Sequence, residues 1–223
     1  MKKIILAGNA TTAKVVSQYL KRDKRYEVLA TVADDEFLPA SDVVDIPGFG
    51  MSSITERLPP RNHNVIMAAG YGNVNKVRES LFQRLKEQGY QIETYIHPDA
   101  HVHTEHPLGE GCVVLPGAVV EPGARIGSNT MVWCNATIAH DSYVAENCWI
   151  ASGSVISGRA AVGRNTFIGV NATVVNNVVV SEFNIIGGGA LITKCTKPNT
   201  VHLARSAEEL RYGAEDYTKH FLQ

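Results

Sequence analysis

Residues 126–156 read IGSNTMVWCNATIAHDSYVAENCWIASGSVI, and an aliphatic side chain returns at every sixth position of this stretch. The register continues without a break from Ile96 to Ile192, which makes seventeen consecutive hexads. The fourth residue after each aliphatic is Ala, Ser, Thr, Cys or Val, except at His106 and Asn184. Neither an α-helix nor an ordinary sheet has a period of six. A coil of short strands does, because each hexad supplies one strand and one tight corner.

This register resembles that of the hexapeptide-repeat left-handed β-helices. The resemblance implies three hexads per coil, so that residues eighteen apart stack in columns. We therefore expect three inward columns, which are Val114, Val132, Ile150, Ile168, Ile186; Val120, Ile138, Ile156, Val174, Ile192; and Leu108, Ile126, Val144, Val162, Val180. Residue types that tolerate positive φ recur near the expected corners: Gly117, Gly123, Asn129, Asn135, Asp141, Asn147, Gly153, Asn165, Asn171, Asn177.

Composition excludes several classes of protein. The 223 residues are 44% hydrophobic and 19% charged with a net charge of −1, which is typical of a globular protein with no nucleic-acid groove. No apolar run has the length of a membrane span, so we expect no membrane partner. The apolar part of the opening MKKIILAG is too short for a signal peptide and predicts a strand. Four cysteines without a CxxC pair indicate a reduced, cytoplasmic protein.

The first ninety-five residues have a different pattern, in which strands and helices alternate. Strands are predicted at 2–8, 26–33, 64–69 and 92–96, and helices after the candidate caps Thr11 and Thr12 and at 75–88. The second helix would bury Val77, Leu81 and Leu85. This alternation predicts a small parallel, Rossmann-like α/β sheet. We divide the chain into an α/β subdomain (1–95), a parallel β-helix of hexapeptide repeats (96–197) and a short C-terminal helical tail (198–223).

Ligands of parallel α/β sheets bind beyond the carboxyl ends of the strands. The candidates there are the turn Gly8, Asn9, Ala10, Thr11, then the pair Asp34 and Asp35, and Gly70. The dinucleotide fingerprint is only partly met, because Ala10 replaces the second glycine, which lets the backbone approach a pyrophosphate. A dinucleotide is therefore not expected. A nucleotide held less tightly remains open, and so does a purely structural role for these turn residues.

His140 is the candidate for chemistry within the coil. A solvent-facing histidine beside a carboxylate, here Asp141, suits a general base. Gly158 stacks eighteen residues on, where it leaves room for a substrate and offers a backbone N–H to an oxyanion. The alternative is an ordinary surface histidine. Cys148 occupies a small inward position, so we interpret it as core rather than as a nucleophile. The cluster His97, His101, His103, His106 is interpreted as a polar end of the coil, and no metal is expected.

The combination of an α/β unit and a coil with the hexad Ile138-Ala139-His140-Asp141 resembles the bacterial NeuD/PglD-type sugar acyltransferases. These include sialic-acid O-acetyltransferases and N-acetyltransferases of nucleotide-linked 4-amino-6-deoxy sugars. The resemblance covers about residues 1–195. It implies that His140 removes a proton from the acceptor, that Asp141 raises its basicity, and that the N–H of Gly158 faces the thioester oxygen.

The same resemblance implies the two substrates and the assembly. Acetyl-CoA, as cosubstrate, would lie along the coil near Val170 and Gly188, between neighbouring prisms of a homotrimer. The nucleotide part of the acceptor would contact Gly8, Asn9, Ala10, Thr11, Asp34, Asp35 and Gly70. Trp149 stands where members often carry a second histidine, nine residues after the first, and we expect it to shape the acyl site. The segment 70–78 is longer than the usual turn of the family.

We therefore expect an acetyl-CoA-dependent N-acetyltransferase of a nucleotide-activated 4-amino-6-deoxy sugar, used in surface polysaccharide, O-antigen or lipopolysaccharide synthesis. The alternatives are a sugar O-acetyltransferase, of the sialic-acid type included, and a non-catalytic trimeric scaffold. The His140–Asp141 pair beside Gly158 argues against the scaffold, which needs none of them. The nucleotide base, the sugar and the size of the acyl group stay open.

Overall fold

The computed structural model describes residues 1–38 and 45–221, and it begins with a parallel α/β sheet. The elements of this unit, in chain order, are β1 (Lys2–Ala7), α1 (Thr11–Arg22), β2 (Tyr26–Ala33), β3 (Gly48–Gly50), α2 (Ile54–Arg57), β4 (Asn64–Met67), α3 (Lys76–Glu87) and β5 (Gln91–Ile92). The strand order is β3-β2-β1-β4-β5. The chain therefore reverses its direction across the sheet between β1 and β4, where open parallel sheets form a crevice.

Several predicted elements of this unit differ from the structure. The strand β3 and the helix α2 were not predicted, because both are very short. The predicted strand 92–96 is two strands, of which β5 completes the α/β sheet and the next begins the coil. The predicted caps of α1 are wrong, since Ala10 is the N-cap and makes no side-chain hydrogen bond. Helix α3 buries Arg78, Leu81, Phe82 and Leu85, whereas Val77 is exposed.

The rest of the described chain is a left-handed β-helix of two-residue strands. Its elements are β6 (Tyr95–Ile96), β7 (His101–Val102), β8 (Val113–Val114), β9 (Val119–Val120), β10 (Arg125–Ile126), β11 (Met131–Val132), β12 (Thr137–Ile138), β13 (Tyr143–Val144), β14 (Trp149–Ile150), β15 (Val155–Ile156), β16 (Ala161–Val162), β17 (Phe167–Ile168), β18 (Thr173–Val174), β19 (Val179–Val180), β20 (Ile185–Ile186), β21 (Leu191–Ile192) and β22 (Val201–His202). A helix, α4 (Ala214–Phe221), follows.

These strands form the three faces of a prism. Face 1 has seven strands in the order β22-β20-β17-β14-β11-β8-β6, face 2 has six in the order β21-β18-β15-β12-β9-β7, and face 3 has four in the order β10-β13-β16-β19. Met131 pairs with Trp149 and Thr137 pairs with Val155, so strands eighteen residues apart are neighbours. The predicted columns are confirmed. The hexad of Leu108 alone carries no strand within the described residues.

The interior of the prism is built from the two restricted positions of each hexad. The aliphatic residues from Val114 to Ile192 are buried, as are the residues four positions after them from Ala118 to Ala190, and the hydrophobic members form one continuous core. All ten of the predicted corner residues have positive φ. Arg159 and Phe183 occupy two further positions of the same kind, with φ of 58° and 56°, and their residue types gave no sign of it.

The α/β unit packs on face 1 of its own prism. Ala13, Val16 and Leu20 of α1 share a buried cluster with Met131 and Trp149 of face 1. The hydroxyl of Tyr19 lies 3.5 Å from the Sγ atom of Cys134. Residues 203–220 of the tail are exposed. No helix in the described ranges is both long and apolar enough to cross a membrane.

The neighbouring valines of β19 allow a test of the inward register. Val180 is fully buried, whereas 47% of Val179 is exposed. Val180→Ala should lower the free energy of unfolding by about 2 kcal/mol, since it removes two buried methyl groups and leaves a cavity. Val179→Ala, the matched control, should change it by less than about 0.5 kcal/mol. Urea denaturation monitored by circular dichroism measures both. Equal losses would contradict the register.

Candidate functional site

A cavity of about 590 Å³ opens at the carboxyl ends of β1, β2 and β4. Its lining is mostly apolar and consists of Gly8, Asn9, Ala10, Ala33, Asp34, Glu36, Phe37, Leu38, Ala68, Ala69, Gly70, Val77 and Leu81. Gly8 is required at this point. Its φ is +129°, and a Cβ atom there would lie 2.6 Å from the carbonyl oxygen of Ala68. The turn after β1 can therefore pass close to β4 only with glycine.

The two predicted aspartates have different surroundings. Asp34 lines the cavity and forms an ion pair with Arg84 of α3. Asp35 is not among the lining residues. Its carboxylate accepts hydrogen bonds from the hydroxyl of Ser52 at 2.6 Å and from the Ser52 N–H at 3.3 Å. The Ser52 hydrogen bonds hold the pKa of Asp35 below its usual value. Asp35 thus fastens the turn after β3, and Asp34 is the aspartate that a ligand would meet.

The five other residues predicted to contact the nucleotide can be compared with the lining of the cavity. Gly8, Asn9, Ala10 and Gly70 line it, whereas Thr11 is the exposed first residue of α1 and does not. The first backbone bond of α1 runs from the N–H of Lys14 to the carbonyl of Ala10. Because no side chain caps this helix, its first N–H groups stay available beside the cavity.

His140 and Asp141 lie on the prism, at the corner between faces 2 and 3. Asp141 has φ of 56°, which turns its carboxylate back so that Oδ2 lies 3.0 Å from His140 Nδ1. About half of the imidazole is exposed. The N–H of His140 donates to Oε2 of Glu121 at 2.7 Å, so the backbone beneath the ring is also held. A proton on Nδ1 bound to the carboxylate leaves the Nε2 lone pair free to accept one.

Gly158 lies directly against this ring. A Cβ atom at position 158 would be 2.4 Å from His140 Nε2, so only glycine leaves room for the imidazole in its present position. The following residue, Arg159, donates its N–H to the carbonyl of His140 at 3.0 Å. The N–H of Gly158 itself donates to no acceptor among the described residues. The corner therefore combines a hydrogen-bond acceptor, Nε2, with an available backbone donor, which is what acyl transfer requires.

Comparison with known proteins identifies the coil and its relatives. Residues 108–140 and 123–158 match the family described as bacterial transferase hexapeptide (six repeats). The structure is similar to the acetyltransferase domain of PglB from Neisseria gonorrhoeae FA1090 in complex with acetyl coenzyme A. The TM-score is 0.81 at 26% identity, over 94% of this chain and 99% of that one. A search of curated proteins found no match.

Two further solved structures share the fold. PerB from Caulobacter crescentus, in complex with CoA and GDP-perosamine, gives a TM-score of 0.78 at 25% identity, over 92% of this chain and 94% of that one. WeeI from Acinetobacter baumannii AYE gives 0.65 at 19% identity, over 91% and 97% of the two chains. The protein is an acyltransferase, and its structure is similar to sugar N-acetyltransferases of the NeuD/PglD type.

The residues that the family resemblance assigns to the acyltransferase do not all lie together in one chain. His140, Asp141 and Gly158 form one group, and the cavity residues form a second on the unit that covers face 1. Trp149 belongs to face 1, is buried, and has its ring centroid 5.1 Å from that of Tyr71 and 5.3 Å from that of Trp133. Nine residues are half of an eighteen-residue coil, so Trp149 and His140 lie on opposite sides of the prism.

Val170 and Gly188 form a third group, at the corner between faces 1 and 2. They stack eighteen residues apart, and a Cβ atom on Gly188 would lie 3.3 Å from the carbonyl oxygen of Val170. The side chain of Val170 is 53% exposed. This corner and the corner of His140 flank face 2. Their assignment to cofactor binding stays a prediction, as does that of Trp149.

Cys148 and the histidine cluster were the two other chemical candidates of the sequence. Cys148 is fully buried, and burial raises the pKa of its thiol to about 12, so it carries no thiolate nucleophile at neutral pH. Within residues 1–38 and 45–221, no group of three or more His, Cys, Asp or Glu residues could hold a metal ion.

Two polar residues of the acyltransferase escaped the sequence analysis. Glu121 accepts a hydrogen bond from the backbone N–H of His140. Its position nineteen residues before His140, one residue more than a full coil, could have indicated this contact. Arg78 is fully buried, and its Nε donates to both the carbonyl and the side-chain oxygen of Asn129 at 3.0 Å. Desolvation lowers the pKa of Arg78 to about 10. A lone arginine in an amphipathic helix gives no signal of such burial.

Gly158→Ala tests the role of the corner directly. The added Cβ would displace the imidazole, while the backbone of Gly158 needs no left-handed conformation. We expect kcat for acyl transfer to fall at least about a hundredfold with the thermal midpoint nearly unchanged. Gly213→Ala is the matched control, because its Cβ would meet nothing within 4 Å. If Gly158→Ala kept more than about a tenth of the parent rate, the corner would not hold the base.

Proposed function

We propose that the protein is an acetyl-CoA-dependent N-acetyltransferase that acts on the amino group of a nucleotide-activated 4-amino-6-deoxy sugar. The observation that carries this proposal is the His140 ring, whose Nδ1 is held 3.0 Å from Asp141 and whose Nε2 lies over Gly158. It is supported by the likeness to two acetyltransferase structures solved with acetyl coenzyme A, or with CoA and GDP-perosamine.

The corner can perform direct transfer. The sugar amine loses a proton to Nε2 of His140, and its nitrogen forms a bond to the thioester carbonyl carbon. The N–H of Gly158 donates to the oxygen on which negative charge develops. The C–S bond then breaks, and the thiolate of CoA takes up the proton that the imidazolium releases. Asp141 keeps the Nδ1 proton in place and stabilises the imidazolium.

The cavity of the α/β unit is the proposed site for the nucleotide. Its volume of about 590 Å³ suits a small ligand, and its apolar walls suit a base. Asp34 and Asn9 are polar groups on its rim. The N–H groups at the start of α1 favour an anion nearby. These features support a nucleotide without naming its base.

The proposed site is shared between two copies of the chain. The cavity belongs to the unit on face 1, and His140 lies at the corner opposite that face. An acceptor held in the cavity of one copy therefore meets the imidazole of a neighbouring copy. This geometry supports a homotrimer with acetyl-CoA between adjacent prisms, beside Val170 and Gly188. The four free cysteines support a reducing cytoplasm, where precursors of surface polysaccharides such as O-antigen are made.

His140→Asn tests the base. General-base assistance is typically worth about 10² to 10⁴ in rate, so kcat should fall at least about a hundredfold. The Kd for acetyl-CoA should change little. The assay is thiol release with a panel of nucleotide amino sugars and of sugars bearing only hydroxyl groups. Transfer only to hydroxyl groups would make the protein an O-acetyltransferase. Binding of these sugars without transfer to any of them would favour the non-catalytic scaffold.

Mixed trimers test the shared site. Gly70→Phe should fill the cavity, because Gly70 lines it and the nearest atom to an added Cβ, Thr12 Oγ1, is 3.8 Å away. His140→Asn and Gly70→Phe should each be nearly inactive alone. Co-expressed in equal amounts, they should recover about a quarter of the parent activity, since that share of sites combines an intact cavity with an intact base. Without recovery, the two elements would have to come from one copy.

A further inference from the structure

Arg159 occupies a corner position that the fold gives to other residue types. Residues 123, 141, 159 and 177 form one column at the corner between faces 2 and 3, and all four have positive φ. The other three members are Gly123, Asp141 and Asn177, which tolerate the left-handed region. Arginine is disfavoured there, because its Cβ crowds the following carbonyl oxygen. The prism itself therefore gains nothing from arginine at this position.

The side chain of Arg159 is exposed and has no acidic partner in the part of the chain that the structure describes. Its Nε donates to Oδ1 of Asn177 at 3.1 Å, and both terminal nitrogens are without a partner among the described residues. Arg164 provides the comparison. It also donates Nε to the residue eighteen positions on, but that residue is Glu182, so its charge is paired. Arg159 keeps an unpaired charge in a fixed orientation.

This charge lies at the candidate reaction centre. The N–H of Arg159 donates to the carbonyl of His140 at 3.0 Å, and the preceding residue, Gly158, touches the imidazole. Strained backbone that the fold does not need is typical of functional sites. A guanidinium with two unpaired nitrogens is suited to a phosphate group, which it binds through two parallel hydrogen bonds.

We propose that Arg159 binds the diphosphate of the acceptor and thereby sets specificity for sugars that carry a nucleotide. The proposal rests on the proposed function. In a 4-amino sugar nucleotide only the pyranose ring separates the amine from the diphosphate. In acetyl-CoA the long pantetheine arm separates the thioester from the phosphates. A cation beside the base is therefore close to the diphosphate of the acceptor and far from the phosphates of the cosubstrate.

Arg159→Asn is the decisive variant, because asparagine is the residue that this corner carries in the next coil, at Asn177, with φ of 61°. We expect the thermal midpoint not to fall. The KM for the sugar nucleotide should rise about tenfold, since a charge-assisted bidentate contact is lost. The kcat should stay within about threefold, and the Kd for CoA, measured by calorimetry, should stay unchanged. Raising the ionic strength should raise the parent KM and affect the variant less.

Two controls separate the contact from general effects. Arg164→Gln removes a cation that is already paired, and Phe183→Asn relieves another left-handed corner; neither should alter the KM. The free amino sugar, which lacks the diphosphate, should be acetylated equally by the parent and by Arg159→Asn. Arg159→Lys should recover part of the loss, because it restores the charge without the planar fork.

Each other outcome overturns the assignment. An unchanged KM for the sugar nucleotide would show that Arg159 does not bind it. A weaker Kd for CoA alone would place the bound phosphate on the cosubstrate. An equal loss of activity with the free amino sugar would show that Arg159 supports His140 and does not bind the diphosphate. If the parent acetylates no nucleotide sugar, the proposed function itself fails, a result distinct from parent activity that Arg159→Asn leaves intact.

Discussion

The constraint on which this structure depends is the hydrogen bonding between two-residue strands that lie eighteen residues apart. A two-residue strand has almost no stability of its own, so each coil is held by the coils before and after it. The inward side chains lock the register, because a slip of one residue would turn every aliphatic of Val132, Ile150 and their columns to solvent. The core is continuous for that reason, and it leaves the outer residues of the corners free to vary.

The same constraint assembles the chemistry. His140 and Gly158 touch because they are one coil apart, and Asp141 reaches the ring because its corner position is left-handed. Residues at other spacings are kept apart just as firmly. Trp149, half a coil from His140, is held against Tyr71 on the far side of the prism. A rigid prism cannot bend to bring such residues together, which supports the proposal of a site shared between copies.

The sequence predicts the structure correctly where the six-residue period determines the position of a residue. The three columns, the ten corner residues and the grouping of His140, Asp141 and Gly158 all follow from counting in sixes and eighteens. It fails where tertiary packing decides. Val77 was expected in the core of α3, but the helix turns Arg78 to the prism and Val77 to solvent. Nor could two adjacent aspartates be told apart, because only the short strand β3 brings Ser52 to Asp35.

The contact between the α/β unit and the prism, made by the segment 70–78, could not be predicted from the six-residue period. Asn73, Val74 and Asn75 are three successive left-handed residues, and a valine in that region is strained. The segment they belong to is fastened to the prism, since Asn75 donates to the carbonyl of Thr166 at 3.2 Å and Arg78 donates to Asn129. Among the described residues no carboxylate pairs with the guanidinium of Arg78, which still carries its charge at neutral pH with a pKa of about 10. Backbone strain and a buried charge both cost folding free energy, so the surrounding contacts must offset this cost and fix the position of the segment. Gly70, which begins it, lines the cavity. In the proposed shared site this cavity presents its ligand to a neighbouring copy, and it has to be held rigidly on its own prism to do so. In that proposal, the accuracy with which the α/β unit packs on the prism, more than the cavity itself, sets whether an acceptor reaches the imidazole in a reactive position.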